Sequence, residues 1–149
     1  MLLETEIKQS KFNNEFQKLA VNIIFTHGWL MGKHSELLKD SEITTAQYNI
    51  LRILRGQHPN PAPISLLKDR MLDKMSDASR LVERLRTKGY LERKICKEDR
   101  RKVNVLITQS GLELLNELDN SEKIFELQLQ NLSQSEAKQV NFLLDKLRG

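Results

Sequence analysis

The feature that most restricts how this chain folds is a change of hydrophobic period just after Gly89. Before it, Leu81, Val82 and Leu85 are spaced to line one face of a helix. After it, Leu91, Arg93 and Ile95 alternate with Glu92 and Lys94, the two-residue repeat of a strand. Val103 to Ile107 is largely β-branched and apolar, so two short strands joined by Cys96 to Lys102 read as a hairpin with a charged tip. Gly89 stands where the helix before it needs a C-cap. Asp73 is the N-cap expected for that helix, which the spacing places from about Lys74 to Lys88. Upstream, Leu72-Asp73-Lys74 is a turn, and Ile64 to Met71 leaves room for only a short helix. Short helix, tight turn, second helix and β-hairpin, in that order, make a winged helix-turn-helix.

The flanks are helical. Phe16, Ile23, Leu30 and Leu37 recur every seven residues, with Phe12, Leu19 and Ala20 beside them, so the first forty residues read as one long helix or two in line. Thr44-Thr45-Ala46-Gln47 fits a capping box and opens a helix to about Gln57 that buries Tyr48, Leu51 and Leu54. All three prolines fall in Pro59-Asn60-Pro61-Ala62-Pro63, an extended linker or turn with Pro63 as an early helix residue. Thr108 caps a further helix, expected to run past Phe125 to Gln130, and Ser133-Gln134-Ser135-Glu136 is a second capping box before a last helix. The fold class is mainly α with a small β-hairpin wing. Residues 44–108 form the winged lobe, while 1–40 and 109–149 form a helical lobe whose apolar stripes exceed what one small domain can cover.

Charge supports a nucleic-acid partner through its distribution more than its total. The net charge is +4, but residues 62–106 hold 13 Lys and Arg against seven Asp and Glu, and the remainder is mildly acidic. The helix from Lys74 offers Lys74, Ser76, Asp77, Ser79 and Arg80 at its start, where free amides face phosphates and side chains reach base edges. Ser76 and Ser79 suit base or phosphate hydrogen bonds, and Arg80 a guanine edge or a phosphate. Asp77 either accepts from a cytosine amine or favours the positive helix start. The hairpin tip presents Lys97, Arg100, Arg101 and Lys102. No segment approaches the roughly 20 apolar residues of a membrane helix, the N-terminus does not read as a secretory signal, and the single Cys96 excludes an intrachain disulfide. The expected location is the cytoplasm.

Several runs together resemble the MarR family of winged helix-turn-helix transcriptional regulators. Ile43-Thr44-Thr45-Ala46-Gln47-Tyr48 with Leu51-Arg52-Ile53-Leu54 is similar to the family's second helix. Ser79-Arg80-Leu81-Val82-Glu83-Arg84-Leu85 and Lys88-Gly89-Tyr90-Leu91-Glu92-Arg93 resemble its recognition helix and the exit into the wing. Glu98-Asp99-Arg100-Arg101, then Ile107-Thr108 and Gly111, resemble the wing signature and the next helix start. Leu66-Leu67-Lys68-Asp69-Arg70 departs from the family's more regular Glu-Leu-Ala pattern. The resemblance implies a homodimer on a pseudo-palindromic operator of double-stranded DNA, acting as a repressor, with Arg101 in the minor groove and Asp99 orienting the wing. It also implies release by a small anionic or aromatic effector or by cysteine oxidation.

His27 and His34 lie seven apart on one helix face with Trp29 nearby, and read either as the lining of an effector pocket or as a pair of hydrogen-bonded core histidines. They stand about 10 Å apart along the axis, too far to share one metal within the helix. Cys96 lies amid Arg93, Lys94 and Lys97, which favours thiolate and leaves a redox-sensing role open. No metal-ligand spacing, glycine-rich phosphate loop or Gly-x-Ser-x-Gly elbow is found, so neither an enzyme nor a cofactor is expected. A winged-helix module for protein–protein contact and a sequence-indifferent architectural DNA protein are the competing classes.

Overall fold

A computed structural model describes residues 1–95 and 103–149. Helices α1 (Leu3–Glu6) and α2 (Glu15–Leu38) lead into α3 (Thr45–Gln57) through a 3-10 turn at Lys39–Ser41. Strand β1 (Ala62–Pro63) runs directly into α4 (Ile64–Arg70), followed by α5 (Ala78–Thr87), β2 (Leu91–Ile95), β3 (Val103–Ile107), α6 (Gln109–Gln128) and α7 (Gln134–Arg148). The fold is mainly helical with a small antiparallel wing sheet, as the sequence pattern implies. No helix among the described residues is long and apolar enough to cross a membrane.

The helix starts follow local chemistry. Thr44 and Gln47 form a reciprocal capping box at α3, as do Ser133 and Glu136 at α7. Thr108 accepts from the Gly111 N–H to cap α6. Of the two readings for the first forty residues, the chain forms two helices rather than one: Asn14 caps α2 and the four-residue α1 precedes it. One expectation needs correction. The proline-rich segment is not merely a linker, because Ala62 pairs with Val105 and Pro63 with Asn104, making a three-stranded sheet of order β1-β3-β2. Pro63 lies at the sheet edge, where its missing N–H costs no ladder bond, and it is the residue before α4 rather than within it.

The core is continuous and centred on α3. Ile50, Leu51 and Leu54 are sealed against Leu67 of α4, Val82 and Leu85 of α5, Val105 of β3 and Leu115 of α6. Apart from Leu3, the first buried side chain of this core is Leu38 and the last is Leu118. The stripe of Phe16, Ile23, Leu30 and Leu37 therefore lies outside it, and Phe16 is 82% exposed.

The exit of α5 is fixed by three adjoining contacts. Gly89 takes φ +80, a left-handed conformation that only glycine adopts without a steric penalty. The Thr108 hydroxyl donates to the Gly89 carbonyl at 2.6 Å, and the Thr108 N–H to the Tyr90 carbonyl at 3.1 Å. Gly111 packs so closely that a Cβ there would overlap the Tyr90 carbonyl oxygen and the Ile107 side chain.

Helices α2, α3 and α6 meet around His34, whose ring centroid lies 5.3 Å from those of both Tyr48 and Phe125. The Tyr48 hydroxyl donates to Glu122 at 3.2 Å, and Arg52 pairs with the same carboxylate. One turn away, Arg55 donates to both oxygens of Asp119 at 2.9 and 3.1 Å. His34 Nδ1 has no hydrogen-bond partner among the described residues. Burial among these rings holds His34 below the usual histidine range; the Glu122 carboxylate opposes this and the Arg52 charge reinforces it.

Two outcomes follow from this packing. Gly111→Ala should destabilise the fold by about 1–3 kcal/mol, since backbone and a β-branched side chain must move to admit the methyl; urea unfolding measures it, and an unchanged midpoint contradicts the close approach. His34 gives a pH signature. A histidine pKa lowered by folding means that the unfolded chain binds the proton more readily, so stability declines as pH falls through the ordinary value of about 6.5. Between about pH 7 and about pH 5, His34→Gln should show a shallower loss of stability than the parent, and equal slopes would contradict the assignment.

Candidate nucleic-acid interface

The helix that the sequence pattern marks for DNA is shorter than expected. It begins at Ala78 rather than Lys74, because Asp73 is not a helix cap. Its carboxylate accepts from the Met75 N–H at 2.9 Å and the Ser76 hydroxyl at 2.5 Å, closing a local turn. These bonds hold the Asp73 carboxyl below the usual carboxylate range, the Ser76 hydroxyl contributing most. The cap is Asp77, which accepts from the Arg80 N–H at 3.1 Å. Of its two sequence roles, the geometry matches the one that favours the helix start.

The five expected residues of this region thus separate. The Lys74 ammonium donates to the carbonyls of Lys68 and Asp69, at 3.3 and 2.5 Å, and so closes the C-terminus of α4. Ser76 is committed to Asp73, and Asp77 to the cap. Ser79 and Arg80 stand exposed on the first turn of α5. The buried side of the helix is Ala78, Val82 and Leu85, which turns Arg80 outward. Arg84, one turn further along the same exposed face, was missed by the sequence reading although its i+4 spacing from Arg80 was available. Neither arginine has an ion-pair partner among the described residues.

Arg86 and Arg93 are employed differently. Both reach the Glu83 carboxylate, at 2.7 and 2.8 Å: Arg86 from within α5, and Arg93 from β2, which ties the strand to the helix. The Arg86 hydrogen bond and the two guanidinium charges hold the Glu83 carboxyl below its usual range. The Lys88 ammonium donates to the Glu42 carbonyl at 2.6 Å, adding a second tie, to the entry of α3. Of the wing residues, Cys96, Lys97, Asp99, Arg100, Arg101 and Lys102 lie outside the described residues.

The three candidate effector residues do not share one site. His27 is exposed and borders a cleft of about 960 Å³ between α2, the start of α3 and the turn before α5. Leu38, Ile43, Met71 and Leu72 give that cleft apolar walls, with Lys39 and Lys74 at its edge. Trp29 faces a smaller recess beside Leu3 and Phe25, and His34 packs on Tyr48 and Phe125. A hydrogen-bonded histidine pair is not formed: His27 is exposed and His34 Nδ1 is unpartnered among the described residues.

Comparison with known proteins agrees with the architecture. Residues 43–103 match the sequence model of the MarR family. A cysteine-to-serine mutant of MarR from E. coli, solved with operator DNA, superimposes with a TM-score of 0.80 at 25% identity, over 93% of this chain and 99% of that one. A MarR transcription factor from Planctomyces limnophilus shares 29% identity with a TM-score of 0.69, over 91% and 98% of the two chains. MepR from S. aureus, in its DNA complex, matches at 0.74 and 21% identity over 92% and 97%, a likeness of fold. No curated protein matches in sequence. Residues 43–103 thus match the MarR family model, and about nine-tenths of the chain shares its fold with MarR-family transcription regulators of known structure.

Proposed function

We propose that this chain regulates transcription, as a repressor, by binding double-stranded DNA as a homodimer on a pseudo-palindromic site. The observation that carries the reading is the exposed face of α5. Ser79, Arg80 and Arg84 stand on it in solvent, while the opposite face is sealed in the core and both ends of the helix are tied down. A rigid helix with an exposed face carrying Ser79, Arg80 and Arg84 suits the major groove. The amides of the first turn favour phosphate, and Arg80 suits the O6 and N7 atoms of guanine. By family resemblance, Asp99 orients the wing and Arg101 enters the minor groove, with Lys97, Arg100 and Lys102 as further phosphate contacts.

Dimerisation is supported by what the single chain leaves uncovered. No residue of α7 is buried. Phe142 is 64% exposed and Leu147 55%, and the apolar side chains of α7 face those of α2 across an open groove of about 850 Å³. A fifteen-residue helix with only Ala137 and Leu144 partly buried on its own chain leaves an apolar face for a second surface. Two such chains would set their α5 helices in successive major grooves, about 10 bp apart. The cleft beside His27 suits a small anionic or aromatic effector, its apolar walls taking a ring and Lys39 offering a counter-charge.

The reading is tested in two steps. On a site recovered from a pool of random duplexes, Arg80→Ala should weaken binding at least about thirtyfold, since the dimer loses one bidentate contact of about 1–3 kcal/mol in each half-site. Arg101→Ala should also weaken it, and parent binding should fall steeply with salt. Unchanged gel shifts for both variants would overturn the DNA reading. Separately, Leu143→Glu with Leu147→Glu should convert a dimer into a monomer in sedimentation, whereas a monomeric parent would remove the dimer from the account.

A further inference from the structure

The turn between α4 and α5 is fastened along its backbone and leaves two apolar side chains exposed, Leu72, which lines the cleft beside His27, and Met75. The Leu72 N–H donates to Asn49 Oδ1 at 3.0 Å, Lys74 is bound to the end of α4, and Asp73 holds both the Met75 N–H and the Ser76 hydroxyl. Met75 itself is 93% exposed, more than any other large apolar side chain among the described residues. The residues around it (Asp73, Lys74, Ser76 and Asp77) line the groove between α4 and α5, whereas Met75 does not. Its side chain therefore stands on the outer side of the turn. The apolar residues assigned above to the dimer lie on α2 and α7, so Met75 belongs to neither core nor dimer face.

Met75 lies two residues before the Asp77 cap, at the end of α5 that the DNA reading places in the major groove. In that groove the apolar feature of a base edge is the C5 methyl of thymine. A thioether chain is flexible and polarizable enough to cover such a methyl. The hydrogen-bonded turn has already fixed its backbone, so contact orders little beyond the side chain. We infer that Met75 is a specificity-determining residue that reads a thymine methyl at one position of each half-site. This inference rests on the DNA-binding reading and adds a base preference to it.

The test replaces thymine by uracil, one position at a time and symmetrically in both half-sites of the selected duplex. This removes only the methyl and keeps every hydrogen-bonding group. The parent should bind about five- to twentyfold more weakly at one such position, the effect of leaving two methyl contacts unmade, one in each half-site. Met75→Ala should bind the thymine and uracil duplexes alike at that position, and Met75→Leu should keep most of the discrimination. Because the side chain is exposed, both variants should melt with the parent. If the parent binds the duplex but ignores uracil everywhere, or Met75→Ala keeps the same discrimination, this inference is overturned and the DNA reading stands. If the parent binds no duplex at all, both fall.

Discussion

The burial of one face of α3 is the constraint on which the rest of the structure depends. Ile50, Leu51 and Leu54 form the floor on which α4, α5 and β3 are laid, and the same helix abuts α2 and α6. Full burial of such side chains is worth about 1.5–3 kcal/mol each, more than any surface ion pair here contributes. The polar edge of α3 has a different task. Arg52 and Arg55 pair with Glu122 and Asp119 of α6, beyond the last buried core residue of that helix. These half-exposed pairs add little stability, but they fix the direction in which α6 leaves the core. The helix that organises α4, α5 and β3 therefore also orients the helices that reach away from them.

That coupling gives the uncovered surface its meaning. Beyond Leu118, α6 exposes Ile124 and Leu127, and α7 adds a helix with its own capping box and no fully buried residue. A helix end specified so clearly, with its apolar side chains left largely in solvent, is the feature on which the proposed dimer rests. The cleft near His27 borders the helix that leads toward this surface on one side and the turn before α5 on the other. A ligand there would touch Lys74, whose ammonium closes the end of α4, so the proposed effector site and the orientation of α5 share a residue.

The legible parts of the fold were those decided by neighbours in the chain. The capping boxes at Thr44 and Ser133, the Thr108 cap and the left-handed Gly89 each need only three or four residues, and all formed as the sequence indicated. The start of α5 was misplaced because Asp73 and Asp77 offer the same carboxylate to the amides that follow. Only Lys74, reaching back to α4, and Ser76, bound by Asp73, show which of the two opens the helix. Strand β1 was hidden because prolines argue against a strand, and its partner Val105 lies 43 positions along the chain. Within the candidate site, Arg80 and Ser79 were evident from the family-like run. Arg84 joins them only through the exposed face of the folded helix, and sequence does not reveal that the Lys74 ammonium is engaged with the end of α4. The period of Phe16, Ile23 and Leu30 marks an apolar face of α2, but the sequence does not show that this face stands outside the core of the single chain, with Phe16 82% exposed.

The central claim is geometric: two rigidly held α5 helices, related by a dimer axis, enter adjacent major grooves. Hydroxyl-radical footprinting of the protein on its selected duplex tests this most directly. The account predicts two equivalent protected patches on one face of the helix, about 10 bp apart and symmetric about the centre of the site. A single patch, or protection spread evenly along the duplex, would contradict it.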